Sequence, residues 1–159
     1  AGEEIAELRA AGIPVSVVSG ITAGIALAAE LGVSLTHRAA AQSVRLVTGH
    51  SRQVELPDLD WRSLADRSTT LVLYMAGGTA NAFAQRLLHQ GQSPDLPVIA
   101  ASGVGRPDGQ RWYGNLQQLT TWSPFDDGHP ILIGIGQVFG SVACLDAGQS
   151  RDPVAIEAA

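Results

Sequence analysis

The chain of 159 residues has a net charge of −5 at pH 7, and all ten of its basic residues are arginine. An acidic chain without a run of basic residues is a poor binder of nucleic-acid phosphates, and it has no polybasic patch that could bind a membrane surface. Hydrophobic residues make up 45% and charged residues 16%. This balance is typical of a globular domain, and no apolar run reaches the roughly 20 residues that span a bilayer.

Predicted helices and strands alternate along the chain. A helix over residues 3–11 is followed by a β-branched strand over residues 15–18, and Thr22 then caps a helix that runs to Leu31. The further predicted strands cover residues 43–47, 70–74, 97–101, 110–113 and 131–135, and the further helices cover residues 61–65, 79–89 and 116–119. This order predicts an α/β domain over residues 1–140, with a mixed, largely parallel sheet flanked by helices, and a loose tail over residues 141–159.

Glycine turns follow three of the predicted strands, at Gly20, Gly77 and Gly103. In open α/β sheets, ligands bind beyond the carboxyl ends of the strands, and glycine there lets the backbone approach a ligand closely. The pattern therefore predicts a small-molecule site at this edge of the sheet, but it does not indicate a reaction.

The single cysteine indicates the cellular location of the protein, and the N-terminal sequence indicates whether the chain is part of a longer protein. Cys144 is the only cysteine, so no disulfide can form within the chain, and we expect a reducing, cytoplasmic location. The N-terminus has neither a methionine nor the pattern of a signal peptide. It opens directly into helix-like sequence, which predicts that the chain is a fragment of a longer protein.

Short sequence blocks in a fixed order carry more information than composition. They read G-I-T-A at residues 20–23, L-T-H-R at residues 35–38, T-G-H at residues 48–50 and L-V-L-Y-M at residues 71–75. In this order and spacing they resemble the C-terminal domain of the tetrapyrrole methylases, in particular that of uroporphyrinogen-III C-methyltransferases, including the methyltransferase part of siroheme synthase. The resemblance covers residues 2–136, and L-T-H-R with T-G-H is its most specific part.

The resemblance implies a reaction and an assembly. Members of the family transfer methyl groups from S-adenosylmethionine to ring carbons of uroporphyrinogen III, giving precorrin-2 and S-adenosylhomocysteine. They are homodimers of subunits with two α/β domains, and the cofactor binds between the domains. The N-terminal domain carries a Gly-Pro-Gly-Asp loop, a Gly-Gly-Asp loop and the acid/base residues. The chain contains none of these loops, so we expect no catalytic residue in it and no turnover by the chain alone.

Five residues are expected to contact the cofactor by this resemblance: Thr22, Ala23, Met75, Gly103 and Val104. For Thr22 the alternative is a helix N-cap alone, and for Met75 it is packing within a core. The run 103–105 also suggests a phosphate loop, but no Lys-Ser pair or helix follows it.

Three residues are expected to face the substrate: Glu3, Arg38 and His50. Uroporphyrinogen III carries many carboxylates, which require arginine and histidine donors. The alternatives are a solvated loop for His50, a helix-dipole role for the first acidic pair and a structural hydrogen bond for His37. No cysteine or carboxylate cluster accompanies the histidines, so no metal site is predicted. Two other functions remain open at this point, namely a different precorrin methyltransferase and a non-catalytic fragment that dimerises or binds ligand.

Overall fold

The computed structural model describes residues 2–49 and 56–142. In this part of the chain the helices are α1 (Gly2–Ala10), α2 (Ala23–Leu31), α3 (Trp61–Leu64), α4 (Ala80–His89) and α5 (Leu116–Leu119). The strands are β1 (Ser43–Thr48), β2 (Thr69–Tyr74), β3 (Pro97–Ser102), β4 (Arg111–Asn115) and β5 (Ile131–Ile135), and a 3₁₀ turn covers Gln137–Phe139.

The strands form one sheet in the order β1-β2-β5-β3-β4. β1 and β2 pair in parallel, whereas β5 lies between β2 and β3 and is antiparallel to both, and β4 is antiparallel to β3. β1, β2 and β3 therefore point the same way, and their carboxyl ends meet at one edge. The predicted mixed α/β sheet is confirmed, but parallel pairing is confined to β1 and β2 because β5 separates β2 from β3.

Each face of the sheet packs against helices. Alternate residues of the strands, such as Leu73 and Ile133, join Phe83 and Leu87 of α4 in one core. The residues between them, such as Val72, join Leu27 of α2 and Phe139 in the other core. The side-chain alternation of the strands thus divides one sheet between two apolar layers. β2 is buried from Thr69 to Leu73, as its continuous apolar pattern predicts.

The segment before α2 departs from the prediction. Residues 13–22 form neither helix nor strand, so the strand predicted at residues 15–18 is wrong. Val17 and Val18 are 71% and 87% exposed, respectively, and none of the α1 residues is buried. A β-branched run becomes a strand only when another strand pairs with it, and β1 pairs with β2 instead. The turn at Gly20 accordingly does not follow a strand.

Candidate functional site

The carboxyl edge of β2 and β3 holds a cavity of about 220 Å³. The N-terminus of α2 forms part of its wall, the turn after β2 and the loop after β3 form further parts, and the start of β5 completes it. The lining residues are Ala23, Tyr74, Met75, Gly103, Val104, Arg106, Pro130, Ile131 and Leu132. The lining is mostly apolar, with a guanidinium and a phenol as polar groups, as small-molecule sites commonly are.

Met75 lies in the turn after β2 in an unusual backbone conformation. Among the residues that the structure describes, it is the only non-glycine residue with a positive φ, at 54°. Its side chain is 52% exposed, so the alternative of packing within a core is wrong. A residue with a Cβ in the left-handed region costs about 1–3 kcal/mol, and such strain clusters at ligand sites.

Tyr74 joins the end of β2 to the start of α2. Its hydroxyl lies 2.6 Å from the Thr22 hydroxyl and accepts a hydrogen bond of 3.0 Å from the Gly24 backbone N–H. Thr22 occupies the N-cap position as predicted, but its side chain makes no cap bond. The tyrosine hydroxyl therefore satisfies a backbone donor that a cap would otherwise bind. A Cβ at Gly24 would lie 2.8 Å from the Tyr74 hydroxyl, so glycine permits this close contact.

The loop after β1 is fastened to the turn after β2. The Gly49 N–H donates to the Tyr74 carbonyl at 2.7 Å, and the Thr79 hydroxyl donates to the Gly49 carbonyl at 2.5 Å. Thr79 precedes α4 but makes no side-chain cap bond. A Cβ at Gly49 would lie 2.5 Å from the Cβ of Ala76. These contacts fix the cavity edge on the side of β1 and β2.

A polar network supports the loop after β3. Asp127 accepts hydrogen bonds from the Ser102 hydroxyl and, at 3.0 Å, from the His129 backbone N–H. The His129 ring nitrogen Nε2 lies 3.2 Å from Asp108 Oδ2. The bond from Ser102 and then that from the His129 backbone hold the pKa of Asp127 below its ordinary value, and the His129 ring does the same for the pKa of Asp108. These carboxylates therefore stay charged and keep the loop in place.

The expected cofactor residues come together in the structure. Ala23, Met75, Gly103 and Val104 line one cavity, and Thr22 is bonded to Tyr74 of the same lining. The sequence analysis did not predict that Tyr74, Arg106 and residues 130–132 line the cavity. Tyr74 belongs to the L-V-L-Y-M block, and its position just before the turn after β2 could have indicated that it lies at the site.

Of the expected substrate residues, the two that the structure describes do not join this lining. Glu3 lies in the first turn of α1 and is exposed. Arg38 is exposed before the start of β1, where it lines a separate shallow pocket of about 340 Å³, while His50 lies outside the described residues. The Nδ1 atom of His37 accepts a 3.2 Å bond from the Ala39 backbone N–H, which agrees with the structural alternative for His37.

Two further features concern other kinds of site. Residues 2–49 and 56–142 contain no group of three or more side chains able to hold a metal ion, and none of their helices is long and apolar enough to cross a membrane. A larger open groove of about 520 Å³ lies between α3 and α4, with Trp61, Arg86 and His89 in its lining. Unlike the smaller cavity, it includes none of the residues expected to bind a ligand.

Comparison with known proteins identifies the family. The family described as Tetrapyrrole (Corrin/Porphyrin) Methylases matches residues 1–120. The chain belongs to the tetrapyrrole methylases. It is 42% identical over 142 residues to a siroheme synthase of Neisseria meningitidis serogroup C, covering 87% of this chain and 28% of that protein. It is also 42% identical over 118 residues to a uroporphyrinogen-III C-methyltransferase of Paracoccus denitrificans, covering 74% of this chain and 41% of that protein.

Solved structures of the family share the fold. The uroporphyrin-III C-methyltransferase of Thermus thermophilus, complexed with S-adenosylhomocysteine, superposes with a TM-score of 0.72 at 29% identity, over 88% of this chain and 60% of that one. A cobalt precorrin-4 methyltransferase superposes with a TM-score of 0.67 at 20% identity, over 84% of this chain and 56% of that one. This tetrapyrrole methylase chain therefore spans well under half of its curated relatives and somewhat over half of these structures.

Proposed function

We propose that this chain is the C-terminal half of an S-adenosylmethionine-dependent uroporphyrinogen-III C-methyltransferase, which converts uroporphyrinogen III to precorrin-2. The observation that carries the proposal is the cavity at the strand ends, where Ala23, Met75, Gly103 and Val104 converge. The Paracoccus denitrificans relative bears the name of this activity, and the Thermus thermophilus structure holds S-adenosylhomocysteine. Both findings support the same cofactor and substrate class.

The lining of the cavity fits the adenosine part of S-adenosylmethionine. Ile131 and Leu132 supply apolar wall, and Met75 and the loop after β3 supply further parts of the lining. At about 220 Å³ the cavity is smaller than the roughly 300–1,000 Å³ of complete small-molecule sites. That size agrees with a site of which this chain forms one side. The Thr22 hydroxyl and the Ala23 backbone N–H at the start of α2 would hold the polar end of the cofactor.

The chain contributes binding and orientation to the reaction. S-adenosylmethionine supplies a methyl group that is already activated on its sulfonium, so the protein needs mainly to align that methyl group with the acceptor carbon and to exclude water. The strained turn at Met75 and the glycine-bearing loop after β3 would provide this alignment. The acid/base residues are expected in the N-terminal domain, as the resemblance implies.

Contacts with uroporphyrinogen III are proposed for Glu3, Arg38 and His50 on the resemblance alone. An exposed arginine pairs well with a carboxylate, and a charged hydrogen bond contributes about 1.5–3 kcal/mol. Arg38→Ala should then weaken tetrapyrrole binding by about tenfold and leave S-adenosylhomocysteine affinity unchanged, because Arg38 is not part of the cavity lining. If the Arg38→Ala variant and the unchanged protein bind the tetrapyrrole with equal affinity, Arg38 is not part of the substrate-binding surface.

Exposed apolar side chains support a role within a larger assembly. Val17, Val18 and Ile21 are 71%, 87% and 82% exposed, respectively, and such a run marks an interaction surface. We propose that the N-terminal domain covers it and that the assembled protein is a cytoplasmic homodimer, as the resemblance implies.

The test joins this chain to the N-terminal half of the Paracoccus denitrificans relative. With S-adenosylmethionine and uroporphyrinogen III, the joined protein should form precorrin-2, whereas the 159-residue chain alone should form none. The matched control is the joined protein with Met75→Ala, which should bind S-adenosylhomocysteine more weakly. A joined protein that folds and binds S-adenosylhomocysteine but makes no precorrin-2 would contradict the assigned reaction.

A further inference from the structure

The last turn of α2 carries an acidic residue, Glu30, and no basic residue. The carbonyl groups at a helix C-terminus disfavour a carboxylate there. A glutamate in this position is therefore not explained by the stability of the helix itself, and its contacts show what it does.

The two oxygens of the Glu30 carboxylate bind two different parts of the chain. Oε1 accepts a 2.6 Å hydrogen bond from the Gly105 backbone N–H, and Oε2 accepts from the Arg111 guanidinium at the start of β4. The side chains of Glu30 and Arg111 are only 28% and 37% exposed, respectively. One carboxylate thus holds a helix end, a loop and an edge strand together.

These contacts connect two walls of the cavity. The N-terminus of α2 contributes Ala23 to the lining, and the loop held by Glu30 contributes Gly103 and Val104. Because α2 has nine residues, it is a rigid rod of about 13 Å. Fixing its far end to the loop therefore also fixes Ala23 relative to Gly103.

The same loop is held on its other side by the polar network around β5. Asp108 on the loop contacts the His129 ring at 3.2 Å, and Pro130, next to that histidine, lines the cavity. The contact with Glu30 adds the connection to α2. Without it, the loop would remain attached to β5 and packed on the core through Val104, but its polar contact with the far end of α2 would be lost.

We propose that Glu30 is a positioning residue for the cofactor, setting the separation between the α2 wall and the loop wall of the cavity without touching the ligand. This inference rests on the proposed function, since it takes the cavity to be the S-adenosylmethionine site. Arg111 is its partner in the same role.

The test is a double-mutant cycle on S-adenosylhomocysteine affinity, measured by calorimetry on the joined protein with Glu30→Gln, Arg111→Gln and both changes. Glu30→Gln should raise the dissociation constant by about fivefold, a moderate value because the pair is partly exposed to solvent. The double variant should be no weaker than Glu30→Gln, because the two residues act through one contact. The matched control is Glu7→Gln on α1, which is exposed and should leave the affinity unchanged.

Measuring well below the melting temperature of every variant separates positioning from stability. A purely structural role would lower the melting temperature and leave the dissociation constant of the folded chain as it was. Equal dissociation constants for the unchanged joined protein and its Glu30→Gln variant would overturn this inference alone. Absence of any S-adenosylhomocysteine binding by the folded, unchanged joined protein would overturn the proposed cofactor site, and the inference with it.

Discussion

Replacing Met75 by alanine and by glycine separates backbone strain from ligand contact. Met75 has a φ of 54° and a side chain that is 52% exposed. Both replacements remove the thioether, but only glycine adopts a positive φ without steric cost. We therefore expect Met75→Gly to be more stable than Met75→Ala, and both variants to bind S-adenosylhomocysteine more weakly than the unchanged chain.

The size of the stability difference follows from the backbone. The left-handed conformation costs a residue with a Cβ about 1–2 kcal/mol, while the greater unfolded freedom of glycine offsets about 0.5–1 kcal/mol. The free energy of unfolding of the glycine variant should thus exceed that of the alanine variant by about 0.5–1 kcal/mol. For a chain of this size, this corresponds to a melting temperature higher by roughly 1–4 °C. Loss of the thioether falls on both variants alike and costs about 1 kcal/mol, which is about half the value for full burial.

Urea unfolding of the chain and calorimetric titration of the joined protein with S-adenosylhomocysteine measure the two effects. If Met75→Ala proves as stable as Met75→Gly, the turn after β2 is not strained at this residue. If both variants keep the original affinity, the side chain is not part of the cofactor site.

Further predictions concern the residues around the cavity and the core. Tyr74→Phe removes the hydroxyl that bonds Thr22 and the Gly24 N–H, so the free energy of unfolding should fall by about 1–3 kcal/mol; an unchanged urea midpoint would contradict these bonds. Thr70→Val removes a buried hydroxyl that has no hydrogen-bond partner among the described atoms, so it should stabilise the chain by about 1 kcal/mol, and a lower melting temperature would count against this. The pKa of Asp127 lies below the ordinary value of 3.8, so its contribution to stability is present above that value and is lost as the pH falls through it toward the lowered pKa. Asp127→Asn should reduce the fall in the urea midpoint between about pH 5 and about pH 3. A fall as large as that of the unchanged chain would contradict the stabilising role of the hydrogen bonds to Asp127.

Local patterns were sufficient for most elements of the sheet. β2 and β5 are short apolar runs bounded by polar turns, and α4 has a clear apolar face with Phe83 and Leu87 buried. What local patterns do not encode is pairing. The insertion of β5 between β2 and β3 depends on contacts distant in sequence, which is why the parallel character was overestimated.

The predicted strand at residues 15–18 failed for a related reason. Val17 and Val18 are exposed, no strand of the described chain pairs with this segment, and propensity alone does not supply a neighbouring strand. Thr22 is the N-cap residue of α2 as predicted, but its side chain makes no cap bond, because a tyrosine distant in sequence binds the Gly24 N–H instead.

The candidate site was predictable where it depends on strand ends and not where it depends on long-range polar contacts. Met75 and Gly103 follow β2 and β3, so their convergence follows from the direction of the strands. Glu30 and His129 act through partners 75 and 21 residues away, respectively, and no short motif signals such pairs. Arg38 precedes β1 and lies outside the cavity lining, and His50 lies outside the described residues.

An amide chemical-shift map of the joined protein titrated with S-adenosylhomocysteine locates the cofactor site directly. The largest shifts should fall on Ala23, Met75, Gly103 and Val104, around the cavity at the ends of β2 and β3. Shifts centred on Trp61 and Arg86, in the groove between α3 and α4, or no shifts at all, would show that the smaller cavity is not the cofactor site.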